Sequence, residues 1–389
     1  MKKMFSAALA LILCTVIIVP ACNASSDFAN VRPESSLIQE NIAVVSNPVN
    51  FQLVGDVLMT SNGISFMGAD VERFKACEMD GNYLFSEESF SSVLNQAGDL
   101  KKAIYDGNII GIFEPTGIDH EFEKELSLPI QFVNSTTETE SEIVQSITVG
   151  RLYGVDDSGA LMAAEITVPV ETDSTAAFEY FTECANDFNS SRQVSRSTGS
   201  NELIGVASKY MQGLANRGQL RTSYEVYYFA GPDGDYYPIH GYLYASPEGE
   251  YQVNSFSTTL NIFGDNAVLY KHGPSSSTSA TTYSVSITPK SVSDVSSTYT
   301  WSREIPDHKI VTTSDNYGAY WNLSANVLSD GEITFEPGGT VKCAAGGNFT
   351  VHCDNTMTVY GGVLTGTLPV VDATYFFICD AGELSSVNS

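Results

Sequence analysis

Histidines and carboxylates are the side chains best able to move protons or hold metals near neutral pH. The chain has five histidines, His120, His240, His272, His308 and His352, and only Asp119-His120-Glu121-Phe122-Glu123 sets one among several carboxylates. On a helix His120 and Glu123 share a face, but the second nitrogen ligand of the metalloprotease spacing is missing. The mixed charges suit a solvated helix. Serine is abundant, yet no G-x-S-x-G elbow frames a nucleophile. Neither G-x-x-x-x-G-K-[ST] nor a strand-to-helix G-x-G-x-x-G offers a phosphate cradle. No catalytic residue, metal site or cofactor is expected, and a secreted hydrolase stands only as a third reading.

A tyrosine-rich stretch has more to offer. Strand alternation puts Tyr236, Pro238, His240, Tyr242 and Tyr244 on one face, and Tyr237, Ile239, Gly241 and Leu243 on the other. The second set suits a core. In the first, Tyr236, His240, Tyr242 and Tyr244 are candidates for an aromatic platform that binds a sugar ring or a partner protein, since tyrosine joins an apolar body to a polar tip. The competing reading is cross-strand packing with Tyr224, Val226 and Tyr228.

Ser275–Ser302 holds 17 Ser or Thr among 28 residues. Tyr283, Val285 and Ile287 alternate with Ser284, Ser286 and Thr288, and Tyr299 and Trp301 alternate with Thr298, Thr300 and Ser302. Such a ribbon, one face apolar and one hydroxylated, fits a membrane-inserting hairpin with a polar lumen. A spanning strand needs ~9–11 residues, and Pro289 interrupts the first run, so the length rule favours an exposed hairpin of a soluble sandwich.

Positioning elements follow from periodicity. Phe90, Val93, Leu94, Ala97, Leu100 and Ile104 recur at helical steps behind a Ser86 cap, and Asn108–Phe113 is a buried strand. A short acidic helix spans Ile118–Leu126. Strands at Ile147–Tyr153 and Leu161–Val168 join through Asp156–Gly159, and a helix capped by Asp173 runs over Ser174–Phe188. After the Ser-rich stretch 189–201 and a helical patch near Glu202–Leu214, short strands separated by Gly, Pro and Asp dominate, including a hairpin around Gly231–Gly234. The expected fold class is an α+β N-terminal domain (51–188) and, past a linker (189–201), an all-β sandwich domain (202–389).

The N-terminus sets the compartment. Lys2 and Lys3 precede an apolar run, Met4–Val19, and small residues follow at Cys22-Asn23-Ala24. That order reads as an export signal over 1–24, followed by a tether over 25–50. The run approaches the ~18 residues that span a bilayer, so an uncleaved anchor is the alternative. Export permits disulfides among Cys77, Cys184, Cys343, Cys353 and Cys379. Cys343 with Cys353 is one candidate pair, Cys353 with Cys379 its rival, and Cys77 with Cys184 would staple the first half. The formal net charge of −27 repels nucleic acid and anionic lipid headgroups.

Within Tyr270–Val341, the order HGPSSSTSATTYSVSI, TYTWSREIPD, a Ser-Asp pair before AYWNLS and then TFEPGGTV resembles uncharacterised exported β-rich proteins of methanogenic archaea. That resemblance implies no assigned activity and no site residues. The same region is similar, more faintly, to the Ser/Thr/Gly-rich stem of leukocidin-type β-barrel toxins, which implies pore formation; its short runs and Pro289 depart from a full stem. The leading expectation is a non-enzymatic secreted or cell-surface interaction protein whose partner is a protein or glycan. A leukocidin-like pore former is the alternative, and a membrane partner enters only with pores or a retained leader.

Overall fold

The computed structural model describes residues 49–380 apart from short internal stretches, the longest being 68–75, 193–201 and 287–299. The expected leader, nearly all of the tether, most of the linker and Cys77 lie outside the described residues. Strands β1 (Phe51–Val54), β2 (Asp56–Leu58), β3 (Ser65–Met67) and β4 (Asn82–Ser86) come first. Ser86 then caps a helix: its Oγ accepts from Ser89 N at 3.3 Å, satisfying an N–H that a helix start leaves open. The expected single helix is two, α1 (Glu87–Val93) and α2 (Ala97–Tyr105), split by a 3-10 turn at Leu94–Gln96. At the break Gln96 Oε1 accepts from Ala76 N at 2.7 Å.

Next come β5 (Ile110–Phe113), α3 (Asp119–Glu125), β6 (Ile130–Val133) and the small strands β7 (Thr137–Glu138) and β8 (Ile143–Val144). β9 (Ser146–Val155) and β10 (Leu161–Pro169) form the hairpin read from Asp156–Gly159, where Asp156 Oδ1 accepts from Ser158 N and Ala160 N, both at 2.9 Å. Asp173 caps α4 (Ser174–Arg192) by accepting from Thr175 N and Ala176 N at 3.0 Å.

The patch read as helical near Glu202–Leu214 is instead strand β11 (Glu202–Gln212). Its sequence alternates, with Val206, Ser208 and Tyr210 against Ala207, Lys209 and Met211, and it is paired on both sides, which outweighs local helix preference. The long hairpin β12 (Gly218–Gly231) and β13 (Gly234–Pro247) follows, then β14 (Gln252–Phe263) and β15 (Ala267–Gly273). β16 (Thr282–Ser286), β17 (Thr300–Glu304), β18 (His308–Ser314), β19 (Gly318–Ser329) and β20 (Ile333–Phe335) precede β21 (Gly338–Cys343), β22 (Asn348–Tyr360) and β23 (Thr367–Asp380).

One sheet runs β1-β4-β5-β9-β10-β11-β12-β13-β21-β15, with β20 beside β13; a second runs β18-β19-β14-β22-β23-β6. Helices sit in the first half and the second half is all β, in the expected fold class. β10 pairs with β11 in parallel, from Met162 opposite Val206 to Thr167 opposite Met211, so the first sheet continues across the 189–201 region. All described residues lie within one compact unit, Glu34–Ser389.

Alternation gives the first sheet two different faces. α4 covers one, with Phe181, Cys184, Ala185 and Phe188 against Leu152, Met162, Ile166 and Val206. Gly150 makes that approach possible: an added Cβ would lie 2.3 Å from the Phe181 ring. The other face meets α1–α3 in the first half and the second sheet beyond it, burying Tyr224, Ile239 and Leu243 with Phe256, Leu260 and Met357. Tyr224 OH ties the two sheets by donating to Asn355 Oδ1 at 2.6 Å.

The expected disulfides do not form. Cys184, Cys343 and Cys353 are buried free thiols, and each proposed pair uses one of them. Cys343 ends β21 in the first sheet, whereas Cys353 lies in β22 of the second. Cys379 stands opposite Phe349, four strand positions from Cys353. That spacing amounts to ~13 Å along a strand, beyond the ~7 Å Cα reach of a disulfide. Cys184 belongs to the apolar layer under α4, and burial pushes its thiol pKa well up.

Candidate functional site

The Ser/Thr-rich excursion leaves the first sheet at the end of β15 and rejoins the second at β18. Its root is fixed on both sides. Pro274 O accepts from Trp321 Nε1 at 2.8 Å, and Thr278 forms an antiparallel bridge with Ile310. β16 and β17 then pair with each other and join neither large sheet. Their register sets Tyr283 opposite Arg303, Ser284 opposite Ser302, Val285 opposite Trp301 and Ser286 opposite Thr300. Because both arms alternate, one face of the ribbon carries positions 282, 284, 286, 300, 302 and 304, five of them Ser or Thr and one Glu. The other carries Tyr283, Val285, Trp301 and Arg303. Val285 is fully buried and lies against Gly273, where an added Cβ would meet its Cγ1 at 2.5 Å. A glycine at the end of β15 is therefore what lets the ribbon dock.

The tyrosine face is built differently from a display surface. Tyr236, His240 and Tyr242 are buried and Tyr244 is half-buried. Their cross-strand partners are Phe229, Glu225, Ser223 and Arg221. The expected partners Tyr224 and Val226 face the opposite side, with Gly241 and Ile239. Tyr236 stacks on Phe229, with centroids 5.1 Å apart, and donates to Asp233 Oδ1 at 2.7 Å. Tyr242 joins the layer beneath α4, and the Arg221 guanidinium lies 5.9 Å from the Tyr244 ring. Arg221 is also paired to Glu183 at 2.9 Å and to Asp187. The platform is thus covered on three of its four members.

His240 is the chemically notable one. Its Nδ1 lies 3.3 Å from Glu225 Oε2 and its Nε2 lies 3.3 Å from Glu336 Oε2, while Tyr227 OH donates to Glu225 at 2.7 Å. Burial alone would lower its pKa, but the two carboxylates win and hold it at about 9. With one ring nitrogen turned to each carboxylate, the three groups brace one another and do not converge on a common ion. Among the described residues no cluster of three or more His, Cys, Asp or Glu is placed to hold a metal.

A second charged network lies between the first sheet and α3. Glu165 of β10 receives Arg151 Nη2 at 2.7 Å and Lys209 Nζ at 2.7 Å, and Arg151 Nη1 also reaches Glu123 of α3 at 2.8 Å. Burial pushes Glu165 up, yet the two cations bring it below the ordinary carboxylate value. Glu123 is pushed up to about 8 by burial, against the hydrogen bond from Tyr153. Glu123, expected on a solvated helix, is instead buried, and no sequence motif marks the carboxylate partners of His240 or the cations around Glu165. The available signal was a charged residue inside a strand of otherwise buried type, as in Leu161–Val168.

No family model matches the sequence, and no curated protein matches it. The likeness to archaeal exported proteins therefore gains no family support. Among solved structures the chain is similar to one described as "Pore forming protein", at 10% identity over 47% of this chain and 97% of that one, with a TM-score of 0.29. It is also similar to Clostridium perfringens delta-toxin (9%, 46% and 90%, TM-score 0.30). A third is the Clostridium perfringens NetB toxin in its membrane-inserted form (7%, 46% and 97%, TM-score 0.25). The structural resemblance to pore-forming toxins is weak, and at these scores it carries no argument. No helix among the described residues is long and apolar enough to cross a membrane, which says nothing of strands.

Proposed function

We propose that the chain is an exported pore-forming protein and that the β16–β17 ribbon is the part that enters the bilayer. The observation that carries this reading is the ribbon's register: five hydroxyls and a carboxylate on one face, and Tyr283, Val285 and Trp301 on the other, with Arg303 at the base of that face where its long side chain can reach the interface. A membrane barrel needs that division, because lipid-facing and lumen-facing positions alternate along every strand. It also needs closed backbone pairing, since unpaired N–H and C=O groups are too costly in hydrocarbon.

The length objection is met by continuing the observed register in the inserted state. Ile287 then meets Tyr299 and Thr288 meets Thr298, which keeps the same two faces. In that register Ser279–Thr288 pairs with Thr298–Asp307, ten residues an arm and within the ~9–11 of a spanning strand, with Pro289 in the connecting turn and Pro306 at the base of the second arm. The export signal read over Met1–Ala24 would deliver the protein outside the cell. Its charge favours zwitterionic over anionic headgroups.

Dye release from phosphatidylcholine vesicles tests the reading. Wild type releases dye and Ser284→Asp retains most of that activity. Trp301→Asp puts an unpaired charge on the lipid face opposite Val285, at a cost somewhat below the ~2–4 kcal/mol of Arg or Lys at the bilayer midplane, and release falls at least tenfold. Equal loss in both variants, or no release by wild type, removes the pore reading and leaves the secreted contact protein.

A further inference from the structure

β18 is an edge strand: its inner side pairs with β19, and its outer side would present free N–H and C=O groups. Such an edge is a ready template for another chain. Here the outer side is occupied by the first residues of the excursion. Thr278 N donates to Ile310 O at 2.9 Å, Ile310 N donates to Thr278 O at 2.8 Å, and Thr312 N donates to Ser277 Oγ at 3.0 Å. Ser275, Ser276 and Ser277 are exposed; two of those three bonds are backbone to backbone and the third reaches the Ser277 hydroxyl. The strap is continuous with the ribbon, and only a few residues separate Thr278 from Thr282 of β16.

We propose that Ser277–Thr278 is a removable cap on the β18 edge, and that a second copy's Ser277–Thr278 takes its place when the ribbon leaves. This rests on the pore reading for its trigger. The exchange remakes in trans the bonds already present in cis, so the second copy needs no new recognition surface. An element donated forward from each copy to the next is a head-to-tail contact, which gives a ring where the rotation closes and an open filament where it does not. Two features favour exchange over simple opening. Withdrawal of the ribbon pulls directly on the strap, because Pro274 O stays fixed to Trp321 Nε1 upstream. The vacated Ile310 and Thr312 donors then face outward with nothing else from the described chain bonded to them along that edge.

The antiparallel bridge puts Ser277 opposite Val311, and this supplies the test. Ser277→Cys and Val311→Cys proteins are mixed, added to phosphatidylcholine vesicles and oxidised, with wild type as the control for native thiols. A disulfide joining one variant to the other, at least tenfold above the control, is expected. The double variant Ser277→Cys/Val311→Cys, oxidised before mixing, should stay monomeric on vesicles. Thr312→Pro removes only an outward N–H, a substitution that edge strands tolerate, and should lower assembly at least tenfold while the monomer stays folded. Assembly without the cross-link, an oxidised double variant that assembles like wild type, or a wild type that stays monomeric on vesicles would each overturn the proposal. Dye release measured in parallel separates the two ideas. Release without the cross-link refutes exchange alone, and the cross-link without release refutes the pore reading alone.

Discussion

Glu165 is fully buried and still ionised, because Arg151 and Lys209 reach it from the strands on either side. Removing one partner leaves an uncompensated charge, so Lys209→Met is expected to cost ~3–5 kcal/mol, seen as a lower denaturant midpoint at unchanged slope. The two other perturbed groups set the pH response. Glu123 takes up a proton on folding, so its contribution to stability is lost as pH rises from 4.5 toward about 8. His240 is held charged, so its contribution is complete below 6.5 and lost as pH rises through about 9. Stability should therefore fall with rising pH across both windows. Glu123→Gln should flatten the lower limb and His240→Gln the upper one; a wild-type curve that climbs between pH 6.5 and 9 contradicts this. The alternation of Tyr236–Tyr244 was legible in the sequence, but its coverage was not. Glu336, which completes the His240 cluster, lies 96 residues away in the chain and no local pattern joins them.

Local signals named those elements whose caps and turns are self-contained. Ser86, Asp156 and Asp173 each bond their own neighbours, and the helices and the β9–β10 hairpin were accordingly readable. β11 was not, since its strand state comes from β10 and β12, which no window of eleven residues contains. β15 and β18 escape a local reading because Lys271, His272, His308 and Lys309 give both strands a loop-like polarity; β15 gains its pairing from the distant β21, whereas β18 pairs with the next strand, β19. The docked ribbon offers a direct check at this scale. Gly273→Val places atoms where Val285 now lies. It should release β16–β17 to proteolysis within 282–304 while moving the main thermal transition by only a few degrees, ~1 kcal/mol for a chain of this size. Unchanged protection of that segment would show that Gly273 does not govern docking.

Across the whole molecule the first sheet joins what composition divides. The Ser-rich stretch at 189–201 looks like a linker, yet β10 and β11 on either side of it are adjacent, and α4 packs its apolar side across both. Fragments 49–192 and 202–380 are therefore expected not to fold apart, and the intact protein should unfold in one transition by two independent probes. Two separated transitions would restore the division. The central claim, that a ribbon now folded against the sandwich becomes a membrane hairpin, is tested most directly by dye placement. Single cysteines at 282–286 and 300–304 carry a polarity-sensitive fluorophore, and lipid-borne quenchers are added with phosphatidylcholine vesicles. The account predicts a period of two, with 283, 285, 301 and 303 moving into an apolar, quenchable environment while 282, 284, 286, 300, 302 and 304 stay in water. A uniform response along both arms, or none on adding vesicles, would contradict it.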